Sequence, residues 1–364
     1  MTIAFDLRAI MRGNVSGVET YTKSLLDELL KIDKENTYIL YTNSHRDISA
    51  NIPKYENENV IYVNTHIPSR LFNLSLRLFK YPKIDKIIKK ECGKDVDIFF
   101  CPDPRPTPLS KAKKITVIHD LCFKHFPEYF SRKSRIWFKY VLGIEREIKS
   151  SNKLIAVSAY TKEDLVREYN VDPKKIAVTH EGGGEHLKVQ TNEEVILRKY
   201  KLPKNYYLML STIEPRKNTN NVIKAFKKAN LKDMTLVVAG RKNKRIFSDY
   251  KTITGENIQY IGFVDEDDKS ALLKNAKGFI YLSLFEGFGL PATEAMYFHT
   301  PTLVSNTTSL LEIGKDHAML ANPENIDEIA EKLKTLQFHK QERPPYSWEK
   351  CAKETLDIIN RVSA

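Results

Sequence analysis

Two glutamates eight residues apart, Glu286 and Glu294, bracket the turn Gly287-Phe288-Gly289-Leu290-Pro291. The apolar run before them, 278–284, predicts a buried strand. Pro291 stands where the first residue of a helix is expected, and the helical pattern runs over 292–298. A strand that ends in a glycine turn and a helix start directs free backbone N–H groups and the positive dipole end at one point, which suits an anion. Gly287 and Gly289 lack a Cβ, so the backbone there can approach a phosphate closely. Carboxylates repel phosphate, so Glu286 and Glu294 are expected to touch neutral groups at either end of it, most naturally sugar hydroxyls. The same spacing also fits a plain βα connection whose glutamate faces the helix dipole.

Three other places carry candidate chemistry. Arg216 and Lys217 lie between a strand at 206–210 and a helix at 220–229. Two cations at a helix N-terminus oppose its dipole, and an anionic ligand reverses that penalty. His119-Asp120 ends the β-rich run 114–118, placing both side chains at the carboxyl edge of a strand, where open α/β sheets hold ligands. The histidine reads as a hydrogen-bond partner or proton carrier. Gly17, with Ser16, opens an amphipathic helix reaching Ile32 after the first strand, either as an anion site or as a simple cap.

Metal chemistry has poor candidates. Asp95 and Asp97 precede their strand rather than follow it, and 265–268 reads as a helix start, so no metal and no cofactor is expected. Four cysteines at wide spacings give neither a zinc motif nor a disulfide framework, and the expected compartment is reducing cytoplasm.

The elements that must position these residues alternate, strand then helix, through both halves of the 364-residue chain. That alternation predicts two Rossmann-like, doubly wound α/β domains. The expected bounds are 1–184, 185–344, and a terminal helical segment 345–364. The run Gly182-Gly183-Gly184 reads as a flexible hinge between the domains. No Gly-x-Gly-x-x-Gly follows the first strand of either half, and neither a Walker A lysine nor a Gly-x-Ser-x-Gly elbow occurs. Dinucleotide, P-loop and hydrolase readings therefore lose their main support.

Hydrophobic content of 41% and charged content of 29% are those of a globular protein, and no apolar window is long enough for a membrane span. The N-terminus has no signal-peptide pattern. The net charge of +12 is uneven: 66–93 holds seven Lys/Arg against two acids, and 110–153 holds eleven against four. Solvated helix faces explain such runs, as do anionic lipid, nucleic acid or a polyanionic substrate. Within 70–91 an amphipathic basic pattern is broken by Pro82, so two short helices are expected, with Phe72 and Phe79 on the apolar side. They either lie on an anionic membrane or pack on a sheet. Trp137 and Phe138 fall near the start of a further basic helix.

Over essentially its whole length the chain resembles a family 4 glycosyltransferase of the GT-B fold, which implies that the two Rossmann-like domains face a central cleft. Glu286 and Glu294 around Gly-Phe-Gly-Leu-Pro match that family's Glu-x7-Glu signature. Ile213-Glu214-Pro215-Arg216-Lys217-Asn218 resembles the diphosphate-binding segment, Val117-Ile118-His119-Asp120 the acceptor-side histidine strand, and Ser347-Trp348-Glu349 the start of the terminal helix that crosses back to the N-terminal domain. The resemblance implies the following roles. Arg216 and Lys217 neutralise the donor diphosphate and stabilise the leaving nucleotide. The N–H groups of Phe288, Gly289 and Leu290 bind the distal phosphate and donor sugar. Glu286 accepts hydroxyls of the transferred sugar, Glu294 holds the ribose, His119 lies beside the donor sugar, and Gly17 lies close to the phosphates. It also implies retention of anomeric configuration without a metal. Ser211-Thr212 stands where the family often has Gly-Arg, leaving Arg216 to be tested as the substitute, and Glu181-Gly182 replaces a common Asn-Gly.

The expected activity is transfer of a sugar, GDP-mannose being the favoured donor, to a saccharide or polyprenyl-linked acceptor in bacterial surface glycan assembly. The Glu-Pro-Arg-Lys-Asn segment carries that choice, since it resembles mannosyl- or rhamnosyltransferases. The site is expected in the cytoplasm, with contact to the inner membrane face through the basic N-terminal half and no nucleic-acid partner. The rivals are a nucleotide-sugar epimerase or phosphorylase of the same fold, and a non-catalytic polyanion- or lipid-binding protein.

Overall fold

The computed structural model describes residues 1–11, 13, 16–130, 143–241, 251–339 and 342–364; Trp137 and Phe138 lie outside these residues. The chain divides into two units, Met1–Leu121 with Lys133–Glu181 and Trp348–Ala364, and Cys122–Arg132 with Gly182–Ser347.

The first unit contains β1 (Thr2–Asp6), α1 (Gly17–Ile32), β2 (Thr37–Thr42), β3 (Val60–Asn64), α2 (Ser69–Leu78), α3 (Ile84–Cys92), β4 (Ile98–Cys101) and β5 (Lys113–Ile118). The short α4 (Cys122–His125) groups with the second unit. α5 (Ile144–Ser150), β6 (Lys153–Ala156), α6 (Ala159–Tyr169) and β7 (Ile176–Val178) complete the alternation. The strands form one parallel sheet in the order β3-β2-β1-β4-β5-β6-β7. β4 is buried along its length, as a strand covered on both faces must be. At the end of β1 the buried Arg8 guanidinium grips Asp6 at 2.7 Å and Thr107 at 2.8 Å, fixing the exit of the chain from the sheet. α2 and α3 are separate helices flanking Pro82, and Phe72, Leu76, Ile84 and Ile88 join the sheet core.

The second unit contains α7 (Glu193–Lys199), β8 (Tyr206–Leu210), α8 (Thr219–Ala229), β9 (Thr235–Ala239), β10 (Ile258–Gly262), α9 (Lys269–Asn275) and β11 (Gly278–Tyr281). α10 (Leu290–Tyr297), β12 (Thr302–Ser305), α11 (Thr308–Gly314), β13 (Met319–Ala321) and α12 (Ile326–Thr335) follow. Its parallel sheet runs β10-β9-β8-β11-β12-β13. Gly240 has φ 139, and a Cβ there would sit 1.7 Å from the Ser211 carbonyl oxygen, so no other residue fits after β9. The last helix, α13 (Trp348–Ser363), belongs to the first unit, where the Trp348 ring meets Tyr21 at 5.9 Å.

Two expectations change. β11 stops at Tyr281 instead of continuing to Leu284, because the chain leaves the ladder and the Leu284 N–H donates to the Arg216 carbonyl at 2.8 Å. The glycine run at 182–184 is buried and close-packed rather than flexible. A Cβ on Gly184 would lie 2.9 Å from Tyr297 and 3.2 Å from the Glu294 carbonyl oxygen, and the Gly182 carbonyl accepts from Thr293 Oγ1 at 3.0 Å. Close approach to α10 is what requires glycine there.

Candidate functional site

In the second sheet the strand order reverses between β8 and β11, which are neighbours. Ligands of open α/β sheets bind outside the carboxyl ends of strands at such a switch point. The loop after β8 carries Arg216 and Lys217 on a 3-10 turn, Pro215–Lys217, and the loop after β11 carries Glu286. Two further bonds join and shape these loops. Besides the Leu284–Arg216 bond, Ser309 Oγ lies 2.9 Å from the carbonyl oxygens of both Glu286 and Phe288.

Glu286 meets both cations. Its Oε2 accepts from Arg216 at 2.9 Å, and its Oε1 accepts from Lys217 at 2.5 Å. Arg216 also reaches the Phe285 carbonyl at 2.7 Å and Glu214 Oε1 at 2.9 Å. Lys217 is buried, donates to Tyr281 Oη at 2.8 Å and sits 5.0 Å from the centre of that ring. Burial alone would raise the Glu286 carboxyl, but Arg216 and Lys217 overturn this and hold it down at about 2. Burial, then the neighbouring Arg216, lower Lys217 against the opposing pull of Glu286.

This corrects two inferences from sequence. Glu286 touches protein cations rather than only neutral groups, and the charge of Arg216-Lys217 is compensated within the protein by Glu286 and Glu214. The physical reason is burial, since an uncompensated charge in these positions costs several kcal/mol, of order 3 to 5.

The glycine turn ends at Gly289, which has φ 118 and is the residue before α10. A Cβ at Gly289 would approach Leu310 to 2.6 Å, so both backbone angle and packing demand glycine. Among the described residues the N–H groups of Gly289 and Leu290 have no acceptor, while the Gly289 carbonyl already accepts from Ala292 and Thr293. Gly287 is buried in the turn, and Phe288 packs edge-on against Tyr346 at 5.4 Å. Leu290, also buried, begins the helix.

Glu294 lies elsewhere, in a second buried cluster. Its Oε1 is 3.4 Å from His186 Nε2 and 3.5 Å from Lys269 Nζ, and Lys269 also pairs with Glu266 at 2.8 Å. The other oxygen, Oε2, is buried with no hydrogen-bond partner among the described residues. An ionised carboxylate oxygen can only accept, so it calls for a donor such as a hydroxyl. His186 Nδ1 is held by the Gly183 carbonyl at 3.0 Å. Burial opposes a charge on His186, but Glu266 and Glu294 outweigh it and raise the imidazole to about 9. His186, Glu266 and Glu294 bring ligand atoms within 4.8 Å of one another, close enough to ligate a metal. The Lys269 ammonium already supplies the positive charge at that position.

The first unit holds the remaining candidates. His119, just past β5, is 2.8 Å from the Pro102 carbonyl through Nε2 and 3.2 Å from Glu181 Oε1 through Nδ1. A carbonyl only accepts, so Nε2 carries a proton, and a proton on Nδ1 would face the Glu181 carboxylate. Burial disfavours the charged ring, yet Glu181 raises its pKa overall. Tyr21 packs edge-on against the ring at 4.9 Å. Asp120 follows, half-buried. Gly17 is the first residue of α1, whose Ser16 cap accepts from the Glu19 N–H; a Cβ at Gly17 would meet nothing within 4 Å, so packing does not require the glycine.

The structure therefore brings Arg216, Lys217, Glu286 and the 287–290 turn together, and gives Glu294 its own cluster. Sequence reasoning missed Tyr281, Ser309, His186 and Lys269. None stands in a motif, although Tyr281 is the last residue of a strand already identified as leading into the site.

Two parallel α/β sheets, one with a buried charged cluster and a glycine turn at its switch point, are the architecture of a class, the GT-B glycosyltransferases. Residues 15–182 match the family described as Glycosyltransferase Family 4, and residues 192–350 match Glycosyl transferases group 1. A glycosyltransferase from Rickettsia africae ESF-5 has the same fold, with a TM-score of 0.67 at 19% identity over 99% of this chain and 98% of that one. Anabaena HepE, crystallised with UDP and glucose, also scores 0.67, at 14% identity over 99% of each chain.

The chain belongs to the family 4 glycosyltransferases. Similar sequences include O-antigen chain mannosyltransferase B of Escherichia coli, 27% identical over 67% of this chain and 69% of that protein. The O-antigen chain mannosyltransferase RfbU of Salmonella typhimurium is 26% identical over 73% of this chain and 71% of its own.

Proposed function

We propose that this glycosyltransferase moves a hexose, mannose first among candidates, from a nucleoside-diphosphate donor to a saccharide or polyprenyl-linked acceptor of a bacterial surface polysaccharide, with retention of configuration. The observation that carries the reading is the buried Arg216–Lys217–Glu286 cluster beside the N–H groups of Gly289 and Leu290, which have no acceptor among the described residues. Phosphate oxygens bind those N–H groups at the positive end of α10. Arg216 and Lys217 then meet the charge that grows on the leaving diphosphate, which is where fixed cations accelerate a reaction most. Glu286 keeps these cations in place and has lone pairs left for hydroxyls of the transferred sugar. Glu294 Oε2 takes a ribose hydroxyl. His119 keeps the role of hydrogen-bond partner to the donor sugar, and Gly17 that of backbone near the phosphates.

Mannose is supported by the O-antigen mannosyltransferases among the similar sequences. A polyprenyl-linked acceptor would bring the enzyme to a membrane face, which the basic first half suits. Among the described residues no helix is long and apolar enough to cross a membrane.

Thermal unfolding with GDP, UDP, ADP and dTDP tests the donor site. At about a hundred times its Kd, GDP should stabilise the fold by about 2.7 kcal/mol, with the other three shifting it less. Equal silence from all four nucleotides would refute a donor site at this switch point.

A further inference from the structure

We propose that α2 and the turn after it form the surface by which this protein docks on a bilayer containing anionic lipid, with Leu71, Leu74, Leu78, Phe79 and Tyr81 entering the acyl boundary. This deepens the membrane contact proposed above by naming its surface. The helix has two apolar faces. Phe72 and Leu76 are buried in the sheet core, while Leu71, Leu74 and Leu78 recur at helical spacing along another face. Those three are 66%, 50% and 59% exposed, and Phe79 and Tyr81 continue the patch at 73% and 66%.

Core packing accounts for the first face only. Among the described residues, five of the eleven exposed large apolar side chains fall within one stretch of eleven residues, 71–81. Contiguous exposure of this kind marks an interaction surface, whereas apolar side chains scattered singly do not.

Charge decides the partner. No carboxylate occurs in 66–84, while Arg70, Arg77, Lys80 and Lys83 do. Among the described residues none of these four cations forms an ion pair. Lys80 and Lys83, together with Arg146, also line a cavity of about 270 Å³, whose one lining carboxylate, Glu147, is paired with Lys114. Apolar side chains rimmed by unpaired cations match an acyl layer beneath anionic headgroups, and the cavity offers a place for a headgroup phosphate. A second copy of the chain would bring like charges together.

The test is co-sedimentation with phosphatidylcholine vesicles, with and without phosphatidylglycerol. The wild-type protein should bind the anionic vesicles and be released by salt. A Leu74→Ser/Leu78→Ser/Phe79→Ser variant, altered only at exposed positions, should unfold at the wild-type temperature and lose about a hundredfold or more in vesicle affinity. A second variant, Arg70→Gln/Lys80→Gln, should lose about fivefold per cation on anionic vesicles and little on neutral ones. Absence of wild-type binding, or wild-type binding by the triple variant, overturns the proposal. So does a dimer in sedimentation that the triple variant breaks without any vesicle binding. No sugar transfer enters this measurement, so its failure leaves the transferase reading untouched, and the reverse holds.

Discussion

Glu286→Gln should lower turnover by about 10²–10³-fold and destabilise the fold by on the order of 3 kcal/mol, with part of the stability restored by GDP. Both oxygens of Glu286 are engaged, one on Arg216 at 2.9 Å and one on Lys217 at 2.5 Å. The amide keeps the shape and removes the charge, so a buried ammonium loses its main partner while Arg216 retains Glu214. A diphosphate replaces the missing negative charge, which is why GDP should stabilise the variant more than the wild type. Chemical denaturation at neutral pH, with and without GDP, measures both terms.

The same residue sets an acid limit. Its carboxyl titrates at about 2 in the folded protein, against 4.5 for a glutamate side chain in water. A group with a depressed folded pKa stabilises the fold above its unfolded pKa, and that contribution fades as pH falls from there toward 2. Wild-type stability should therefore drop between neutrality and pH about 3 by more than that of Glu286→Gln. Equal acid sensitivity in the two proteins would show that Glu286 is not the ion-pair hub of this site.

Lys217→Met should reduce kcat by about 10²–10³-fold while KM for the donor moves less than about tenfold. Lys217 is the more enclosed of the two cations, held between Glu286 and the Tyr281 hydroxyl. A cation aimed at a leaving group is worth most when that group carries its full charge, in the transition state rather than the bound donor. Methionine fills the space of the lysine stem, so the loss reads as charge and not as a cavity. Steady-state kinetics at saturating donor separates the possibilities, since a lysine with only a structural role would leave kcat unchanged and lower the unfolding temperature.

The parallel sheets were legible because fully covered strands such as β4 and β8 are nearly uninterrupted apolar runs, and α10 because Gly289-Leu290-Pro291 is a start signal readable without context. The basic pair Arg216-Lys217 was legible as an anomaly, two cations at a helix start. Its partner was not, because Glu286 is 70 positions away and only the adjacency of β8 and β11 brings the two loops together. The Glu294 cluster was hidden for the same reason: His186, Glu266, Lys269 and Glu294 come from three segments of chain that pass no signal to one another in sequence. The glycines at 182–184 misled because composition reports freedom of the backbone, while the structure uses the missing side chains for contact with Tyr297 and Phe298. In α2 the pattern gave an amphipathic helix correctly, but only the fold shows which apolar side chains are buried and which are left outside.

The central claim, sugar transfer from a nucleoside-diphosphate donor, is tested most directly by product analysis of a reaction containing GDP-mannose and a polyprenyl-diphosphate-linked saccharide. The account predicts GDP and elongated acceptor in equal amounts, the new linkage retaining the donor's anomeric configuration, and both products formed about 10²–10³-fold more slowly by Glu286→Gln. Conversion of the donor sugar in the absence of acceptor would contradict it in favour of an epimerase.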